Sequence, residues 1–127
     1  MLKDYKKQDV KIDFHCADTF PKNNDKYDVI IANPPYILHE EEADKNVRDY
    51  EPKKALFLTK DNNVYEKIIK GVKKHLNLPG LIMLEIAPNI EEMIKAFLIK
   101  YLKDFKCGYV TINDINKKAR FMAVVVE

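Results

Sequence analysis

The chain has 127 residues, enough for one domain with a substantial core, and its 46% hydrophobic residues include no run long enough for a membrane span and no signal-like start. One third of the residues are charged, yet they balance to +2 and the cations are almost all lysine, so nothing demands nucleic acid or an anionic membrane, and forked recognition of bases or phosphates is poorly served. Cys16 and Cys107 form no framework and His15, His39 and His75 are scattered, which excludes a disulfide scaffold or a metal centre read from spacing and fits a reducing cytoplasm.

In chain order, Met1 to Gln8 is polar and lysine-rich, like the end of a surface helix or a linker. Val10, Ile12, Phe14 and Cys16 then alternate with mostly polar partners up to Ala17, which predicts a strand with one buried face. Asp18-Thr19-Phe20-Pro21 ends it, and a polar linker leads into Tyr27-Asp28-Val29-Ile30-Ile31-Ala32, a short β-branched run that reads as a second strand. If the two are parallel, the linker from Thr19 to Lys26 must retrace ~17–20 Å of strand. Eight residues reach roughly 26–29 Å, so an extended crossover suffices.

The second run delivers Asn33 into Pro34, Pro35 and Tyr36. The prolines fix their own φ angles, bias Asn33 away from the helical region and donate no backbone hydrogen bond. The result is a stiff bracket at a strand end: a side-chain amide, carbonyls without a competing proline N–H, and an aromatic face. Such a bracket suits a planar amide or amino group. Past it, residues 39–44 are acidic, as a solvated face would be, and Val47-Arg48-Asp49-Tyr50-Glu51-Pro52 follows with Ala55-Leu56.

Asn63 with Glu66 has the form of a capping box, and Val64, Tyr65, Ile68, Ile69, Val72 and Leu76 recur at helical spacing. Pro79-Gly80 closes that unit. Leu81 to Ala87, interrupted only by Glu85, predicts a strand covered on both faces. Asn89 and Glu92 can cap a helix whose core face carries Ile90, Met93, Ile94, Phe97, Leu98, Tyr101 and Leu102. The runs Cys107–Asn113 and Arg120–Val126, with a short polar link, predict an antiparallel hairpin. The sum is an α/β sheet with an antiparallel edge feature. If the first three strands are parallel, their carboxyl ends carry Asp18, Asn33 and the Glu85 to Pro88 corner, where open α/β sheets place ligands.

These landmarks, from Asp18-Thr19-Phe20 through Tyr27 to Ile37, Val47 to Pro52, Gly80, Leu84-Glu85-Ile86, Asp114 and Arg120, occur in an order that resembles the release-factor glutamine methyltransferases. That is the HemK or PrmC group of the Rossmann-like class I methyltransferases that use S-adenosyl-L-methionine. Asn-Pro-Pro-Tyr alone is shared with adenine-N6 methyltransferases; joined to Arg48-Asp49-Tyr50-Glu51-Pro52 it is far more specific. The resemblance implies that Asn33 and the Pro34 carbonyl hold the N–H groups of a glutamine amide, with Pro35 stiffening the bracket and Tyr36 packing on the amide plane. It also implies that Asp18, Thr19 and Asn33 border the cofactor, and that Tyr50, Glu51 and Pro52 shape the entrance for the Gly-Gly-Gln loop of a peptide chain release factor. Thr19 departs from the bulkier residue common there, Ala87 from Gly, and Ile90 from Gln.

The chain's glycines are Gly71, Gly80 and Gly108, so no glycine-rich cofactor loop precedes the second strand. The class has strand order 3-2-1-4-5-7-6, and this chain resembles its C-terminal part, a partial methyltransferase domain over residues 1–127 that lacks strands 1 and 2. The expectation is therefore a cytoplasmic enzyme part that methylates a release-factor glutamine in its full context, and that alone binds S-adenosyl-L-methionine weakly or not at all. Two alternatives stand beside it. One is an adenine-N6 nucleic-acid methyltransferase, for which the basic recognition region is missing. The other is a non-catalytic remnant or module that pairs with a separate N-terminal chain.

Overall fold

The computed structural model describes residues 9–35 and 63–127. The β-branched run forms strand β1, Tyr27–Ala32. Helix α1 follows at Val64–His75 and passes directly into β2, Leu76–Glu85. A 3-10 turn at Pro88–Ile90 leads to α2, Glu91–Tyr101, and the chain closes with β3, Cys107–Asn113, and β4, Ala119–Val126.

Asn63 begins α1 because its Oδ1 accepts the Glu66 N–H at 3.2 Å. Lys73 and Lys74 occupy the last turn, where cations suit the helix dipole. Tyr65, Ile68, Ile69 and Val72 form its buried stripe. Tyr65 also donates its hydroxyl to the Glu85 carbonyl at 2.6 Å, tying the helix start to the end of β2. Glu66 accepts from the Tyr101 hydroxyl, a link between the two helices.

The sheet order is β1-β2-β4-β3, with β1 parallel to β2 and both β2–β4 and β3–β4 antiparallel. Register puts Ile30, Ile82 and Val124 in one row and Ala32, Leu84 and Met122 in the next, all on the same face. Ile82, Leu84, Met122 and Val124 share the core with the buried stripes of both helices, so α1 and α2 pack on that face. The rows between them, Val29–Leu81–Val125 and Ile31–Met83–Ala123, belong to the opposite face. There Val29, Val125 and Val110 are exposed and Ile31 is 75% exposed, with no described helix over them.

Three expectations are corrected. Val10 to Ala17 is not a strand: no described strand pairs with it, and its intended buried face points outward, Phe14 being 93% exposed. Alternation alone does not make a strand without a ladder partner. Among the described residues the third strand is covered by helices on one face only, and it starts at Leu76 instead of Leu81, because register slips between Tyr27↔Leu76 and Val29↔Leu81, leaving Asn77 to Gly80 as a bulge. Gly80 turns tightly there: a Cβ would lie 2.8 Å from Leu76 Cδ1 and closer still to the Asn77 carbonyl. Finally, Asn89 does not cap the second helix. Ile90 is its N-cap with no side-chain bond, because Pro88 opens the 3-10 turn and Ile90 is drawn fully into the core. Glu92 pairs instead with Lys95 at 2.9 Å.

Candidate functional site

The carboxyl end of β1 opens on a cavity of about 280 Å³. Asn33, Pro34 and Pro35 form one side, Asp18, Thr19 and Phe20 another, and Val64 and Ile68 of α1 with Ile30 and Ala32 of β1 the apolar remainder. Pro34 is buried and Pro35 half-buried, while Asn33 is exposed and its amide makes no hydrogen bond among the described residues. The bracket thus holds its prolines in the wall and leaves the amide available, as φ-locked residues flanking a strand end should.

Opposite it, Asp18 Oδ2 lies 2.7 Å from Lys67 Nζ, although the Asp18 side chain remains 71% exposed. Thr19 Oγ1 is buried without a hydrogen-bond partner among the described residues, which is costly for a hydroxyl unless something polar enters to meet it. The Phe20 ring is stacked on the His75 imidazole, with centroids 4.3 Å apart and planes within 8°.

The structure therefore brings Asp18, Thr19, Asn33, Pro34 and Pro35 together. Tyr36, Tyr50, Glu51 and Pro52 lie outside the described residues. The expected third contributor, the Glu85 to Pro88 corner, does not line the cavity, and the Glu85 carbonyl is taken by Tyr65. Asp18 arrives from an irregular strip laid on α1 rather than from a strand end. Sequence reasoning missed α1 as a wall. Its signal was present in Val64 and Ile68, one helical turn apart and beginning the same stripe that fills the core.

Two carboxylates outside the cavity, Glu91 and Asp114, serve the scaffold. Glu91 sits below its ordinary carboxylate range, first because Thr111 donates to it at 2.7 Å and then through Lys95. Asp114 is lowered chiefly by the Lys118 backbone N–H, with Asn116 and Arg120 assisting, and so closes the β3–β4 turn. Burial raises the Cys107 thiol. No group of three or more His, Cys, Asp or Glu residues that could hold a metal occurs among the described residues, and no described helix is long and apolar enough to cross a membrane.

The parallel β1–β2 pair beside an antiparallel hairpin, in the order β1-β2-β4-β3, reproduces the 4-5-7-6 portion of the class I methyltransferase sheet. The chain belongs to the Eco57I restriction-modification methylase family, whose sequence profile matches residues 2–121. Among curated proteins it is similar to the release factor glutamine methyltransferase of Borreliella burgdorferi, 43% identical over 102 residues that make up 75% of this chain and 33% of that protein. The protein of the same name from Mycoplasma mycoides is 40% identical over 72% of this chain and 36% of its own length. That from Lactococcus lactis is 34% identical over 89% and 42%. The resemblance drawn from the motifs is borne out, and the chain spans about a third of the length of the relatives it matches.

Proposed function

We propose that residues 1–127 are part of an S-adenosyl-L-methionine-dependent methyltransferase domain that acts on the side-chain amide nitrogen of the Gly-Gly-Gln glutamine in a peptide chain release factor. The remaining length of the relatives would complete both the domain and the cofactor site. The observation that carries this reading is the Asn33-Pro34-Pro35 bracket, its amide exposed beside a cavity whose other wall holds an unpartnered threonine hydroxyl.

A glutamine amide nitrogen is a poor nucleophile because its lone pair is delocalised into the carbonyl. Asn33 Oδ1 and the Pro34 carbonyl would accept its two N–H bonds, fix its orientation and favour the positive charge that grows on nitrogen during attack. Tyr36 would pack on the amide plane, and Tyr50, Glu51 and Pro52 would receive the release-factor loop. Asp18, Thr19 and Asn33 would hold one end of the cofactor, which when bound supplies an electrophilic methyl group. The cavity fits that assignment in part: its apolar walls and few polar groups have the character of a ligand site, but at about 280 Å³ it is smaller than most sites for a whole cofactor. This agrees with weak or absent cofactor binding by the chain alone.

The family's description as a restriction-modification methylase favours a second reading, methylation of nucleic acid, and the Asn-Pro-Pro-Tyr motif shared with adenine-N6 methyltransferases makes an adenine amino group the acceptor. A chimera in which this chain replaces the matching third of the Borreliella burgdorferi relative separates the two, given tritiated S-adenosyl-L-methionine with a release factor and duplex DNA as competing acceptors. Label on the release-factor glutamine, reduced on the order of a hundredfold by Asn33→Ala, supports the first reading. Label on adenine selects the second. Label on neither overturns both.

A further inference from the structure

We infer that Lys67, Gly71 and His75, one stripe of α1, are positioning residues that fix Asp18, Thr19 and Phe20 on the cavity wall. They stand four residues apart, so they present one line along the helix to the strip that crosses it. Each makes a different kind of contact. Lys67 Nζ meets Asp18 Oδ2 at 2.7 Å. Gly71 leaves room for the Phe20 ring: a Cβ there would lie 2.9 Å from Cδ2 and nearer still to Cε2. His75 stacks flat on the same ring, and its Nδ1 lies 3.2 Å from the Asp25 carbonyl, a bond it makes as the Nδ1–H tautomer.

The strip needs such a support because it lies in no strand, and the described sheet stops at β1. An alanine would suit the interior of α1 better than glycine. Glycine at position 71 therefore does nothing for the helix itself and acts through the ring it admits. The consequence is local: Phe20 is the hinge between a rigid helix and the two polar residues, Asp18 and Thr19, that face Asn33 across the cavity.

The cofactor side of this inference rests on the proposed function, whereas its geometric side does not. The test uses the 127-residue chain with Gly71→Ala, Phe20→Ala, Lys67→Ala and Lys67→Arg. Nuclear magnetic resonance reads the Phe20–His75 ring contact and the amide signals of residues 18–20, and S-adenosylhomocysteine serves as the titrated probe. Gly71→Ala is expected to stay folded and to leave the Ile82 and Leu84 signals in place. It should nevertheless lose the ring contact and displace the 18–20 signals. Phe20→Ala should displace the same signals without touching the helix, which decides the matter if Gly71→Ala fails to fold. Lys67→Arg should keep the Asp18 and Thr19 signals that Lys67→Ala moves. Where the parent chain responds to the probe, Gly71→Ala should weaken it about tenfold. Retention of the ring contact and of the 18–20 signals in Gly71→Ala, or of those signals in Phe20→Ala, overturns the inference. A parent chain blind to the probe counts against cofactor binding by the chain alone, while the ring contact still decides the positioning role.

Discussion

Replacing Ile82 by alanine and, separately, Ile31 by alanine tests whether the sheet has one covered face. The two residues sit on the paired strands β2 and β1, one register row apart, with side chains on opposite faces. Ile82 is 0% exposed and packed among Leu84, Val124 and the helix stripes. Its truncation loses transfer energy and leaves a cavity, a cost of about 2–5 kcal/mol. Ile31 is 75% exposed, so only about a quarter of the ~1.5–3 kcal/mol of full burial is at stake, roughly 0.4–0.8 kcal/mol. In urea, with a slope of about 2 kcal/mol per molar, Ile82→Ala should lower the midpoint by about 1–2.5 M and Ile31→Ala by about 0.2–0.4 M. Circular dichroism against urea checks both. Equal shifts would refute the reasoning, because Ile31 would then have to be buried in solution by something outside the described residues.

Asn63→Ala should cost about 1 kcal/mol and fray the first turn of α1, since it removes the acceptor of the Glu66 N–H; amide exchange at Glu66 reports it, and unchanged protection there would count against the cap. Asp114 has a folded-state pKa below its ordinary 3.8, mainly through the Lys118 N–H. Its contribution to the β3–β4 turn is therefore complete above that ordinary value and lost as pH falls through the lower folded one. The Lys118 amide signal should follow this acid limb, and Asp114→Asn should abolish it. Cys107 is half-buried with a raised thiol pKa, whereas Cys16 is exposed. A maleimide at neutral pH should label Cys16 at least about tenfold faster, and equal rates by mass spectrometry would show that the β3 edge opens readily.

The parts of the fold legible in the sequence are those whose signals are local and agree with their packing. The Val29 to Ala32 run, the Asn63-capped helix and the terminal hairpin each carry periodicity and punctuation that point to the same element. Val10, Ile12 and Phe14 carried an equally regular alternation and formed no strand, because pairing is a property of two segments and the sequence of one cannot supply the other. The start of β2 was hidden for a related reason: Pro79-Gly80 reads as an ending, and only the register with β1 makes it a bulge inside a strand. At the site, Asn33, Pro34 and Pro35 were legible because proline geometry is intrinsic. The support beneath Phe20 was not, since Gly71 in a helix gives no sign of which distant ring it admits.

The bracket hangs from one of the two edge strands of the described sheet. β1 is bonded only to β2 in the described sheet, through residues about 50 positions away in sequence, so its docking pays a long loop closure. The β3–β4 turn and the direct passage from α1 into β2 are far shorter connections, so each of these two units can form first. In folding, β1 is then the late arrival, and in the described sheet its release requires the breaking of a single ladder. Asn33 faces Thr19 only while that ladder holds, which makes the cavity a reporter of sub-global opening: its geometry vanishes before the core beneath α1 and α2 melts.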